Sequence, residues 1–155
     1  MIDLHRILIP TDFSKFSQIA LGYASAFAEK FSAELYLLHV IQDLAVFIPD
    51  MITVAPPSVP TVEQMTKAVQ DAFDRLIKDN RLERFPIHRD VREGTPFYEI
   101  VHYGKEQNID LIIMGTHGHT GLTHMLLGSV TEKVVRKAPC PVLTVRHPEH
   151  EFVHP

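Results

Sequence analysis

Leu111-Ile-Ile-Met-Gly115-Thr-His-Gly118-His-Thr-Gly121-Leu-Thr-His124-Met-Leu-Leu-Gly128-Ser-Val-Thr131 runs from a continuously apolar segment, through a loop punctuated by glycines, into the start of a helix. An uninterrupted apolar run suits a strand covered by helices on both faces, so Leu111 to Met114 reads as an interior strand of a parallel sheet. Gly115, Gly118 and Gly128 let the backbone approach a ligand closely. A helix opening near Ser129 adds unpaired N–H groups and the positive end of its dipole. Strand, glycine loop and helix start together describe a phosphate-binding connection, and hence point to a nucleotide.

Working outward, the same alternation of elements recurs along the chain. Leu4 to Ile9 is a short apolar strand ended by the turn Pro10-Thr11-Asp12. Ser14 is an N-cap for a helix whose stripe is Phe16, Ala20, Tyr23, Ala24, Phe27 and Phe31. Leu35 to Val40 is a second apolar strand, followed by a proline-containing loop from Ile41 to Pro60. Thr61-Val-Glu-Gln64 has capping-box form and opens a second helix with Val62, Met65, Val69, Phe73, Leu76 and Ile77 on one side. Ile87 to Glu93 mixes apolar and charged residues, as an edge strand does. Thr95-Pro96 starts a third helix that reaches about Gln107. Ser129-Val-Thr-Glu132 again has capping-box form, and Val142 to Val145 is the last strand.

Five strands alternating with four helices imply right-handed crossovers and a single α/β domain with a parallel sheet and helices on both faces. The expected domain is 1–146, with 147–155 as a polar tail. In such sheets ligands bind beyond the carboxyl ends of the strands, where the winding direction reverses. Pro10-Thr11-Asp12 and the glycine loop both follow strand ends and so can face one another across that crevice.

Composition narrows the function. The 155 residues hold 15 lysines and arginines against 19 acidic residues, a formal net charge of -4, so no basic face for nucleic acid is implied. Although 45% of residues are hydrophobic, no apolar run approaches the roughly 18 residues of a spanning helix, and no signal-peptide pattern opens the chain. A cytoplasmic protein without membrane contact is expected. Cys140, the single cysteine, offers no disulfide or thiolate metal site and reads as a small residue entering the last strand.

The spacing Gly115-x2-Gly118-x9-Gly128-Ser129 resembles the Gly-x2-Gly-x9-Gly-Ser/Thr pattern of the universal stress protein family, nucleotide-binding branch. Ile7-Leu-Ile-Pro-Thr-Asp12, Leu37-Leu-His-Val40, Asp110 to Gly118 and Pro141-Val-Leu-Thr-Val145 extend the likeness over nearly the whole chain. The resemblance implies a five-stranded sheet of order 3-2-1-4-5, a homodimer, and ATP, or AMP or ADP, in the crevice between strands one and four. It implies that Pro10, Thr11 and Asp12 line the adenosine pocket, with the Asp12 carboxylate accepting from ribose hydroxyls or the base, and that Val40 meets adenine through its backbone. Gly115 and Gly118 would lie against the ribose and inner phosphates, with Met114 and His117 also among the nucleotide-binding residues. Gly128, Ser129, Val130 and Thr131 would give backbone and hydroxyl donors to the outer phosphates. In the family's strand order Val142 to Val145 forms a bare sheet edge, through which two copies can pair.

No lysine or arginine stands between Gly115 and Thr131. Phosphate charge must be met by oriented N–H groups, by Mg2+ or Mn2+, or by a partly protonated histidine. The loop also lacks the lysine, arginine finger and water-positioning base that phosphoryl transfer uses, so the expected function is a nucleotide-dependent dimeric stress or signalling switch with slow or no hydrolysis and an unidentified protein partner. The alternatives are a low-turnover ATP hydrolase or nucleotidyl-transfer enzyme on the same fold, and a regulatory module that binds no nucleotide. Competing readings attach to individual residues. A capping-box Ser129 spends its hydroxyl on its own helix, and Asp12 also fits an ordinary turn carboxylate. His117, His119 and His124 lack a cysteine or carboxylate to complete a metal site, and the tail from His147 to His154 reads as disordered. The loop from Ile41 to Pro60 either covers the pocket or packs on a partner.

Overall fold

The computed structural model describes residues 2–42, 61–117 and 127–146. Within them the chain forms β1 (Arg6–Pro10), α1 (Lys15–Phe31), β2 (Glu34–Ile41), α2 (Val62–Asp79), a short 3-10 turn (Leu82–Arg84), β3 (Ile87–Glu93), α3 (Pro96–Glu106), β4 (Leu111–Gly115), α4 (Ser129–Lys137) and β5 (Val142–Val145). All strand pairs are parallel and the order is β3-β2-β1-β4-β5, as the family likeness implied. The first three strands wind outward in one direction. After β3 the chain returns through α3 to the other side of β1, so the winding reverses between β1 and β4.

Alternate residues of the strands feed two apolar layers. Ile7, Ile9, Leu35, Leu37 and Ile113 face α1 and α2, where they meet Ala20, Leu21, Ala24, Phe73 and Leu76. Leu8, Tyr36, Leu38, Ile112 and Met114 face α3 and α4, where they meet Ile100, Tyr103 and Val134. Every residue of β4 is buried, as its unbroken apolar sequence requires. Asp110 accepts the N–H groups of His5 and Arg6 at 2.8 and 2.9 Å, which ties the start of β1 to the start of β4.

Ser14 caps α1, its side chain accepting the Ser17 N–H, and Thr61 with Gln64 forms the capping box of α2. The buried face of α1 is Ser17, Ala20, Leu21, Ala24 and Ala28, and Tyr23, expected inside, is 50% exposed. Small residues occupy the closest line of approach to the sheet, and Phe27 and Phe31 pack at its margins. At the β3 edge, Tyr36 and His88 stack with ring centroids 4.3 Å apart, and both bond Glu34, whose carboxyl is held below its ordinary value mainly by the His88 contact. Arg92 lies over Tyr103, whose hydroxyl burial pushes up to about 12. Charged side chains thus close the margin of this edge, as the sequence of β3 suggested. Cys140 is half-buried, and burial pushes its thiol up, in keeping with a packing role.

Candidate functional site

The site is built where β1 and β4 end side by side. β1 stops at Pro10, paired with Leu38, but β2 continues to Ile41. The Leu38 carbonyl accepts the Thr11 N–H at 2.9 Å on one side of β2, and the Ile41 carbonyl accepts the Gly94 N–H on the other. Backbone groups alternate sides along a strand, so those of Val40 point to the β1 side, beyond the last β1 residue. Val40 therefore presents an N–H and a carbonyl to the crevice, a donor and acceptor pair suited to the edge of a base.

The turn after β1 is held by hydroxyl groups. Thr11 Oγ1 accepts the Phe13 N–H at 3.0 Å and lies 3.1 Å from Ser17 Oγ, and Asp12 Oδ1 accepts the Ser14 N–H at 3.0 Å. Phe13 sits at φ 62°, in the left-handed region that non-glycine residues seldom adopt. Its ring is fixed by contacts with His39 at 4.9 Å and, edge-on, with Phe73 at 5.2 Å. The turn thereby carries Asp12 across the end of β1 and starts α1 immediately afterwards.

Opposite stands the end of β4. A Cβ added at Gly115 would overlap the carbonyl oxygen of Phe16 on α1, so this glycine is dictated by helix approach as well as by any ligand. The Gly115 carbonyl accepts from Thr131 Oγ1 at 3.0 Å, and Thr131 is buried. Thr116 donates its N–H to Val145 and accepts the Gly128 N–H at 2.7 Å, linking β4, β5 and the start of α4. His117 is buried with its Nδ1 3.0 Å from Thr116 Oγ1.

The helix start differs from the capping-box expectation in one respect. Gly128, in extended conformation, is the N-cap of α4, its carbonyl accepting the Glu132 N–H at 2.9 Å, and Ser129 is the first helical residue. Ser129 is exposed, and no side-chain bond caps this helix, so its hydroxyl is not spent on its own helix. An α-helix leaves its first four N–H groups without internal partners; here the Gly128 N–H donates to Thr116, and those of Ser129, Val130 and Thr131 are the other three. The Thr131 hydroxyl, by contrast, already donates to Gly115, so this residue has its backbone N–H, and not its hydroxyl proton, to offer an anion. Replacing Thr131 with Val is expected to leave the buried Gly115 carbonyl short of a donor and cost about 1–3 kcal/mol, with Ser at this position retaining most of the stability, as denaturant unfolding would read.

Pro10, Thr11, Asp12, Val40, Met114, Gly115, His117, Gly128, Ser129, Val130 and Thr131 thus all lie at the carboxyl end of the sheet or at the start of α4. Gly118, His119 and His124, the loop 43–60 and the tail 147–155 lie outside the described residues. His39, unassigned in the sequence reading, is brought to the turn after β1: its Nδ1 is 2.8 Å from the Thr11 carbonyl oxygen.

A family model for the universal stress proteins matches residues 4–146. The chain belongs to the universal stress protein family. Universal stress protein MJ0531 of Methanocaldococcus jannaschii is 38% identical over 147 residues, covering 94% of this chain and 84% of that protein. Universal stress protein MJ0577 of the same organism is 34% identical over 152 residues, 91% of this chain and 94% of that protein. Its solved structure superposes with a TM-score of 0.78 at 32% identity, covering 96% of this chain and 99% of that one. The fold is also shared with a universal stress protein in complex with cAMP, at TM-score 0.63, 22% identity and coverage of 93% and 98%. The Archaeoglobus fulgidus universal stress protein in complex with dAMP superposes equally, at TM-score 0.63, 19% identity and the same coverage. Among the described residues no helix is long and apolar enough to cross a membrane.

Proposed function

We propose that this universal stress protein holds an adenine nucleotide, ATP or its mono- or diphosphate, in the crevice between β1 and β4 and acts as a cytoplasmic, dimeric nucleotide-dependent switch. The observation that carries this reading is the start of α4. Three successive helical N–H groups without internal partners follow Gly128 and stand next to the end of an interior strand. Val40 offers a base-edge donor and acceptor on the β2 side, and the Asp12 carboxylate supplies the acceptor oxygens that ribose hydroxyls need. That two proteins of this fold were solved with cAMP and dAMP supports an adenylate as the ligand class.

The phosphates would be neutralised chiefly by the helix dipole and backbone N–H groups. A divalent ion, Mg2+ or Mn2+, held with the phosphates would add to that neutralisation. Holding without rapid cleavage follows from the cation-free sequence between Gly115 and Thr131. Incubation of purified protein with labelled ATP separates the readings. Retention with slow or no turnover supports the switch, rapid product formation supports the enzyme, and no retention supports a nucleotide-independent module.

The dimer rests on β5. It is the last strand of the sheet, its Val142, Leu143 and Thr144 are only half-buried, and it carries no charged residue to discourage pairing. Pairing with its counterpart in a second copy would satisfy the outer backbone groups. Light scattering at micromolar concentration should give twice the chain mass; a monomer would remove the dimer from the reading.

A further inference from the structure

We propose that His39 is a positioning residue for the adenosine end of the crevice, a role that rests on the nucleotide reading above. β2 places alternate side chains on opposite faces, and His39 shares the α1 and α2 face with Leu35 and Leu37, whereas Val40 belongs to the opposite layer. From there His39 Nδ1 reaches the Thr11 carbonyl, 28 residues away in sequence, at 2.8 Å. A carbonyl only accepts, so Nδ1 carries the proton. The other polar groups of Thr11 are already engaged: its N–H with Leu38, its hydroxyl with Phe13 N–H and Ser17. His39 is the side chain that fixes the remaining group, the carbonyl of the Thr11–Asp12 peptide. A peptide is planar, so fixing this carbonyl also fixes the direction of the Asp12 N–H and the point from which the Asp12 side chain departs.

This bond joins two walls of one site. The next residue along β2, Val40, presents its backbone to the base, and the peptide held by His39 aims Asp12 at the ribose. The His39 ring also packs at 4.9 Å against Phe13, the residue that makes the left-handed step after Asp12. Losing the Nδ1–H donor would let the Thr11–Asp12 peptide rotate while the sheet beneath stays paired. Adenosine binding would weaken equally for mono- and triphosphate, because the contact lies at the end of the ligand away from α4.

The test uses the full chain, calorimetric titration with AMP and with ATP, and three forms: native, His39→Leu and His39→Asn. Leucine keeps the approximate bulk without a donor; asparagine returns an N–H near the position of Nδ1. Loss of one positioned hydrogen bond is expected to weaken both nucleotides by about tenfold in His39→Leu, with His39→Asn recovering most of that loss. Nitrogen-detected NMR of the native imidazole should show the Nδ1–H tautomer, a readout that needs no variant to fold. Native-like binding by His39→Leu, equal weakness of the leucine and asparagine variants, or an Nε2–H tautomer would overturn the proposal. Failure of the native protein to bind either nucleotide would overturn it together with the crevice itself, an outcome distinct from the other three.

Discussion

Gly115→Ala is expected to cost about 1–3 kcal/mol and to weaken ATP binding with it. The added Cβ has nowhere to go, because the atom it meets is the main-chain carbonyl oxygen of Phe16 and not the end of a flexible side chain. Relief requires α1 to lift from β4 or the end of β4 to bend, and each route disturbs the site. Moving Gly115 breaks the geometry of the bond from Thr131, which lies in the first turn of α4. Lifting α1 shifts Ser14 and Ser17, which hold the turn that contains Asp12. At about 2–4 °C per kcal/mol for a chain of this size, a loss of this kind lowers the unfolding midpoint by roughly 2–12 °C. A Gly115→Ala protein with native midpoint and native ATP affinity would show that the helix and strand are not in this close contact.

Phe73→Ala is expected to be the most destabilising single truncation considered, at about 3–5 kcal/mol. Phe73, on α2, is the largest fully buried side chain in the layer between that helix and the sheet. Its ring also supports Phe13 edge-on, so the cavity would open beneath the left-handed step of the turn after β1. Phe73→Leu refills much of the volume and should lose clearly less. The check is urea unfolding with an unchanged slope and a lowered midpoint. A midpoint shift in Phe73→Ala no larger than in Phe73→Leu would mean that α2 does not pack as described.

The strand order rested on the family likeness, whereas the elements themselves were legible because they rest on patterns that survive without tertiary information. The unbroken apolar run of β4, the charge-laced β3 and the two strand ends followed by Pro10-Thr11-Asp12 and by Gly115 all report burial or turn chemistry directly. On the inner face of α1 the helical stripe holds for Ala20 and Ala24, with Phe27 and Phe31 at its margins, but not for Tyr23. Close approach of α1 to β4 selects Ser17, Ala20, Ala24 and Ala28, leaving Tyr23 outside. α4 begins at Ser129, as expected, but the capping-box spacing of Ser129 and Glu132 points to the wrong cap: the N-cap is the extended backbone of Gly128, which leaves no side-chain signature. The bond from His39 to Thr11 was invisible for another reason: it joins residues that only the pairing of β1 with β2 brings together.

The N–H groups at the start of α4 are the proposed holders of phosphate, and Ser129→Pro tests them with little disturbance of the fold. Proline is favoured at the first helical position, and Gly128 already has the extended conformation, φ -65° and ψ 153°, that a following proline requires. The substitution therefore removes one of the N–H groups proposed to face phosphate, and the Ser129 hydroxyl, while the helix remains. Calorimetric titration should show ATP bound about tenfold more weakly by Ser129→Pro than by the native protein, with adenosine affinity and unfolding midpoint unchanged. Equal ATP affinity in the two proteins would mean that these N–H groups do not hold phosphate.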